Sequence, residues 1–173
     1  EIFICWEDYV QSSYYDISCR ILDVDNLILN DIFQVAEVVS ANQINPYVFS
    51  TKDDDYLITW QDSRNFSGTV APNDDIYIQQ ITNGNIIFEE NGLSVCNADF
   101  SQSYPQIELY DESDNSYIIF WNDLRSSGKA DLVNIYAQSM TLSSCMQGDL
   151  NGDTLINVQD IISLVNAILD PNS

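Results

Sequence analysis

Residues 56–62 read YLITWQD and residues 75–81 read DIYIQQI, and this pair of apolar stretches decides the fold because it recurs. The first returns as IFICWED at 2–8 and as YIIFWND at 117–123. The second returns as DISCRI at 16–21 and as NIYAQSM at 134–140. A third element with a Q-x-x-P pattern, QINPYVFS at 43–50 and QSYPQIEL at 102–109, precedes the later two copies. Ile17, Ile76 and Ile135 stand 59 residues apart, and so do Pro46 and Pro105, which is the signature of an internal repeat. Further apolar segments near 28–39 and 86–95 separate the copies. All are short and rich in Ile, Val, Tyr, Phe and Trp, which suit a half-buried pleated surface, and Asn/Asp/Ser/Gly loops join them. The expected fold is mainly β: antiparallel four-stranded repeats over residues 1–144, followed over 145–173 by one calcium loop and a single helix.

The second part rests on residues 148–172, GDLNGDTLINVQDIISLVNAILDPN. Asp149, Asn151, Asp153, Asn157 and Asp160 fall at positions 1, 3, 5, 9 and 12 of a calcium loop, with the Leu155 carbonyl at position 7. Calcium takes six to eight oxygens, and this spacing lets alternate side chains converge on one point. Thr154 stands where a glycine usually makes the sharp turn. Val158, Ile161, Ile162, Leu164, Val165, Ile168 and Leu169 then leave little polar face on the following helix. So short a helix is marginal alone in water and needs a surface to bury against. This segment resembles a type I dockerin repeat, whose pattern is D-x-N-x-D-x-x-x-N-x-x-D plus one helix. A dockerin carries two such repeats, and the sequence here holds one. The resemblance implies bound Ca2+ and, for a glycan-processing system, docking to a cohesin.

The W-x-D-x-R pattern of Trp60-Asp62-Arg64 and Trp121-Asp123-Arg125, with I-Y-x-Q after it, resembles the blades of large secreted bacterial β-propeller-repeat proteins. The resemblance implies about two and a half blades, too few to close a ring. The first copy departs from the pattern, with Val10 in place of the arginine and Ser18 in place of the tyrosine. Because the Trp-Asp-Arg set occurs twice at equivalent positions, it reads as a structural pair locking strand to loop rather than as a sugar site.

Composition narrows the function. The net charge is -22, with Arg20, Lys52, Arg64, Arg125 and Lys129 as the basic residues and no histidine. Nucleic-acid binding is excluded by the want of a basic surface. Divalent cations would offset the self-repulsion. No apolar run is long enough to insert in a membrane as a helix. The sequence starts at Glu1 without a methionine or signal peptide, as a mature, secreted or cell-surface product would.

Cys5, Cys19, Cys96 and Cys145 allow three pairings, of which Cys5–Cys19 with Cys96–Cys145 is preferred, free buried thiols being the alternative. Asn65-Phe66-Ser67 is an N-glycosylation sequon on a loop. No catalytic residue is assigned, and the chain reads as a non-enzyme. Lack of histidine removes Ser-His-Asp and Cys-His nucleophiles, leaving carboxylate pairs drawn from Asp53, Asp54, Asp55, Asp74, Asp75, Glu89, Glu90 and Glu108. The sequence thus predicts a calcium-stabilised extracellular module. Open sheet edges would pair with other copies of the chain, as strands donated between neighbours do, giving a homopolymer or fibre. The alternative is a glycan-binding or glycan-processing component.

Overall fold

The repeated apolar stretches pair into three antiparallel sheets. The structure, a computed structural model, describes residues 1–10, 14–38, 40–51, 55–65, 73–125, 133–142 and 162. The first sheet holds β1 (Ile2–Val10), β2 (Tyr14–Asp23), β3 (Ile28–Leu29) and β4 (Phe33–Ala36). The second holds β5 (Gln43–Ser50), β6 (Tyr56–Asp62), β7 (Asp75–Thr82), β8 (Asn85–Ile86) and β9 (Leu93–Cys96). The third holds β10 (Gln102–Asp111), β11 (Ser116–Asp123) and β12 (Asn134–Thr141).

The expected W-x-D strands are β1, β6 and β11, and the Q-x-x-P strands are β5 and β10. Among the described residues the sheets have four, five and three strands, so the expected four-stranded unit with incomplete copies at both ends needs one correction, an extra strand in each of the first two sheets. The outer edge is the reason. It is broken into two short strands that pair separately with the same neighbour, β3 and β4 with β2, then β8 and β9 with β7.

Each Q-x-x-P strand carries a bulge. Pairing of β5 with β6 shifts between Ile44 and Tyr47, and that of β10 with β11 between Ser103 and Gln106. Asn45 and Tyr104, the residues just before the two prolines, both sit at φ 54°. A left-handed non-glycine residue is uncommon, and here the extra bulge residue takes that conformation. The bulge removes the ladder bond a proline could not make.

The sheets stack face to face through two apolar layers. Ile17, Cys19, Val35 and Ala36 of the first sheet meet Ile58, Trp60, Tyr77 and Ile81 of the second. Leu57, Ile76 and Ile78, on the opposite face of the second sheet, meet Ile107, Tyr117, Ile119 and Trp121 of the third. Alternation along each strand makes this possible, because successive side chains point to opposite faces. In both junctions the Q-x-x-P strand of the later sheet leans across: β5 packs on β1 and β2, and β10 packs on β5, β6 and β7.

Candidate functional site

In the second and third W-x-D strands the tryptophan is tied to its own aspartate. Trp60 Nε1 donates to Asp62 Oδ2 at 2.9 Å, and the Arg64 backbone N–H donates to Asp62 Oδ1 at 2.9 Å. The Arg64 guanidinium closes on Asp62 Oδ2 at 2.5 Å and lies 3.8 Å over the ring of Tyr77. The third sheet repeats this clasp: Trp121 Nε1 to Asp123 at 2.9 Å, Arg125 to Asp123 at 2.6 Å, and Arg125 4.2 Å over Tyr136. Asp62 and Asp123 are fully buried. Burial alone would raise the Asp123 carboxyl, but the bonds from Arg125 and Trp121 outweigh it and hold the pKa below the ordinary value. A buried carboxylate stabilised this way is a structural lock, because both of its oxygens already accept from the strand and its loop.

In the first sheet, where Val10 and Ser18 interrupt the pattern, Asp8 Oδ2 accepts from the Ser18 hydroxyl at 3.0 Å instead. Ser18 lies opposite Trp6, as Tyr77 lies opposite Trp60. An uncharged hydrogen bond thus stands in for the ion pair. The second clasp is further closed by a turn: Arg64 donates to the Asn91 carbonyl at 2.8 Å, and Gly92 at φ +81° lies under Trp60. A Cβ at Gly92 would come within 2.4 Å of the Trp60 ring, so only glycine fits.

At one end of the stack, the sheets are joined by polar contacts. Tyr15 N–H donates to Asn42 Oδ1 at 3.1 Å, and Ser63 N–H donates to the Asn42 carbonyl at 2.9 Å. One repeat later, Asp74 N–H reaches Ser101 Oγ at 3.5 Å and Leu124 N–H the Ser101 carbonyl at 3.1 Å. Between these joints runs a chain of amides and acids. Asn45 N–H donates to Glu7 at 2.8 Å, Asn45 Nδ2 to Gln61 Oε1 at 3.0 Å, and Gln61 Nε2 to Asp74 Oδ2 at 2.7 Å. Asp16, Asp74 and Asp75 all have pKa values raised chiefly by burial, with neighbouring carboxylates adding to it.

The two ends of the stack are chemically different from the middle. Ile17 and Ile76 are fully buried under the following sheet, whereas Ile135, the same position in the third sheet, is 76% exposed. Ala137 and Ile135 lie on the face that corresponds to Ile78 and Ile76, and that face has no covering sheet among the described residues. At the opposite end, Ile2 and Ile4 of β1, counterparts of Tyr56 and Ile58, are 50% and 41% exposed. The described strands therefore end in two apolar faces, front and rear, that match the two halves of each internal junction.

The sequence-derived site residues fare unequally. Cys5 and Cys19 are directly opposed on β1 and β2 and form a disulfide. Cys96 is a free thiol that accepts from Arg125 at 2.8 Å, and Cys145, its preferred partner, lies outside the described residues. Asn65, the sequon asparagine, already donates its side-chain amide to Asp75 Oδ2 at 2.7 Å. Asp149, Asn151, Asp153, Leu155, Asn157 and Asp160 lie outside the described residues, as do Asp53 and Asp54. Of the remaining acids considered for catalysis, Asp55 accepts from Gln80 at 2.9 Å, Asp74 and Asp75 belong to the second joint, and Glu89, Glu90 and Glu108 are exposed.

No family model matches the chain, and no curated protein does. Among solved structures it is similar to an endo-arabinase from Bacteroides thetaiotaomicron, at 11% identity and a TM-score of 0.47, over 82% of this chain and 51% of the enzyme. The chain thus spans about half of that enzyme, and a likeness this slight carries no argument about activity. The resemblance to propeller blades with a half dockerin is corrected by the structure. The described residues form sheets of unequal size, the expected C-terminal helix lies outside them except for Ile162, which is helical, and they hold no group of three or more His, Cys, Asp or Glu able to bind a metal. The physical reason is that Asp62 and Asp123, the buried acids of the W-x-D strands, are engaged by Trp and Arg donors.

Proposed function

We propose that this chain is a secreted structural module that associates head to tail with copies of itself and is stabilised by calcium. The observation that carries the reading is the exposure of Ile135 at a position where Ile17 and Ile76 are fully buried. The occupant suited to that face is a second copy, because the internal junctions already display the complementary surface. The rear of each sheet packs on the front of the next, and Ile2 and Ile4 of β1 supply such a front. An interface of this head-to-tail kind does not close on itself unless the rotation permits, and so propagates.

Two further features agree. The Cys5–Cys19 disulfide fits an oxidising compartment. A charge of -22 opposes contact between copies, and divalent cations would screen it. For the cation we propose Asp149, Asn151, Asp153, Asn157 and Asp160, with the Leu155 carbonyl, as a calcium loop on their spacing alone.

Light scattering in calcium and then in excess chelator tests both parts. Assemblies larger than a monomer that shrink on chelation are expected for the native chain. In Asp149→Ala with Asp153→Ala, calcium should no longer alter either size or melting temperature. A monomer in both solutions would end the assembly reading, and an unchanged melting temperature in the native chain would end the calcium one.

A further inference from the structure

Four buried side-chain nitrogen or oxygen atoms among the described residues have no hydrogen-bond partner, and two of them are acceptors: Asp75 Oδ1 and Gln102 Oε1. Both residues are fully buried. Leaving either acceptor unmade in a dry interior costs free energy, so the coincidence calls for a cause.

The repeat supplies it. Asp75 and Gln102 occupy the positions of Asp16 and Gln43 one repeat earlier, and the two joints share their other contacts, from Tyr15–Asn42 to Asp74–Ser101. In the first joint the Gln43 amide, correctly oriented, donates to Asp16 Oδ1 at 2.9 Å and to the Tyr15 carbonyl at 3.3 Å. The second joint cannot copy this. Gln102 Nε2 is held by the carbonyls of Phe100 at 2.6 Å and Ala98 at 3.2 Å. Turning that amide over would set Oε1 against those same carbonyls. Meanwhile the Gln102 backbone N–H donates to the Asp74 carbonyl at 2.7 Å, which keeps β10 against the start of β7. Two acceptors thus stand where the first joint has a donor and an acceptor.

One proton resolves both. We propose that Asp75 is protonated in the folded protein and donates from Oδ1 to Gln102 Oε1, so that a neutral carboxyl closes the joint between the second and third sheets. The proton comes from solvent on folding and is returned when the carboxyl ionises. Asp75 Oδ2 stays the acceptor for Asn65 Nδ2. The groups that act on Asp75 favour the neutral form. Asp62 lies directly across on β6 and Asp74 is its chain neighbour, and both repel a negative charge there. Burial is the largest influence and acts in the same direction, while Asn65 and Arg64 act against it. Asp16, which has a donor in Gln43, needs no such proton to satisfy its Oδ1.

The sign follows from linkage. An acid whose folded pKa lies above its unfolded one contributes stability that is complete below the unfolded value and lost as pH rises through the folded one. Asp75→Asn supplies the same donor permanently, with its amide toward Gln102 and its carbonyl toward Asn65. It should therefore melt higher than the native chain at neutral pH, with the gap closing as the solution is acidified. Carbon-detected NMR of the native chain reads the proton directly. The Asp75 carboxyl should titrate above the ordinary aspartate range, and Gln102→Met should move that midpoint down. A midpoint in or below the ordinary range, or one untouched by Gln102→Met, would overturn the proposal even if Asp75→Asn failed to fold.

Discussion

β7 and β12 are one strand of the repeat written twice, DIYIQQI and NIYAQSM, yet the first is buried along its length and the second is open. The difference is not in pattern. Ile76 and Ile135 hold the same place in the alternation, and Tyr77 and Tyr136 both lie under the guanidinium of a clasp arginine. What separates them is the neighbour, since β10 leans over β7 and no described strand leans over β12. Burial here belongs to the junction, and a strand built for a junction keeps its apolar face when the covering sheet is elsewhere. Single exposed apolar residues are ordinary, but one that is buried in each sister copy is the feature on which the proposed association rests.

The comparison can be broken most severely at the clasp. Asp62→Ala would leave the half-buried Arg64 without its counterion and Trp60 without its acceptor, and removing one member of a buried pair typically costs about 3–5 kcal/mol. Asp8→Ala, in the sheet whose clasp is a single Ser18 hydrogen bond, should cost only about 1 kcal/mol. Urea unfolding of both variants checks the ratio. Equal losses would mean that the ion pair adds nothing to the lock.

Next comes the isoleucine pair itself. Ile76→Ala removes packing from the closed layer between the second and third sheets and should lower stability by about 2–5 kcal/mol. Ile135→Ala, measured at a concentration where the chain is dispersed, should stay within about 0.5 kcal/mol of the parent.

A smaller effect separates the acids by sign. Asp123, held low by Arg125 and Trp121 against the pull of burial, contributes stability above the ordinary aspartate value that is lost as pH falls through its folded pKa. Asp74, raised mainly by burial, does the reverse and weakens the fold as pH rises through its own. Melting curves across the acid range should therefore lose part of their low-pH decline in Asp123→Asn. An unchanged decline would mean that other carboxylates carry it.

Much of the fold was legible because period, alternation and the recurring W-x-D ends are local properties of the chain. IFICWED, YLITWQD and YIIFWND each form the strand expected of them, and the Trp-Asp-Arg sets lock strand to loop as their repetition implied. The split outer edges were not legible, since two-residue strands such as β3 and β8 carry no periodic signal. The bulges at Asn45 and Tyr104 could have been suspected from the prolines that follow them. The open face of the third sheet was hidden for a deeper reason: Ile135 and Ile76 are identical in type and setting within the sequence, and only three-dimensional packing tells them apart. The unequal joints were hidden too, because Gln43 and Gln102 differ in which way an amide turns, not in identity.

The central claim is that the open face of the third sheet receives the front of another copy. Sedimentation velocity over a concentration series, on the native chain and on Ile135→Asp, tests it most directly. The account predicts concentration-dependent association for the native chain, and a folded monomer at every concentration for the variant. Association of the variant equal to that of the native chain, or a native chain that stays monomeric throughout, would contradict it.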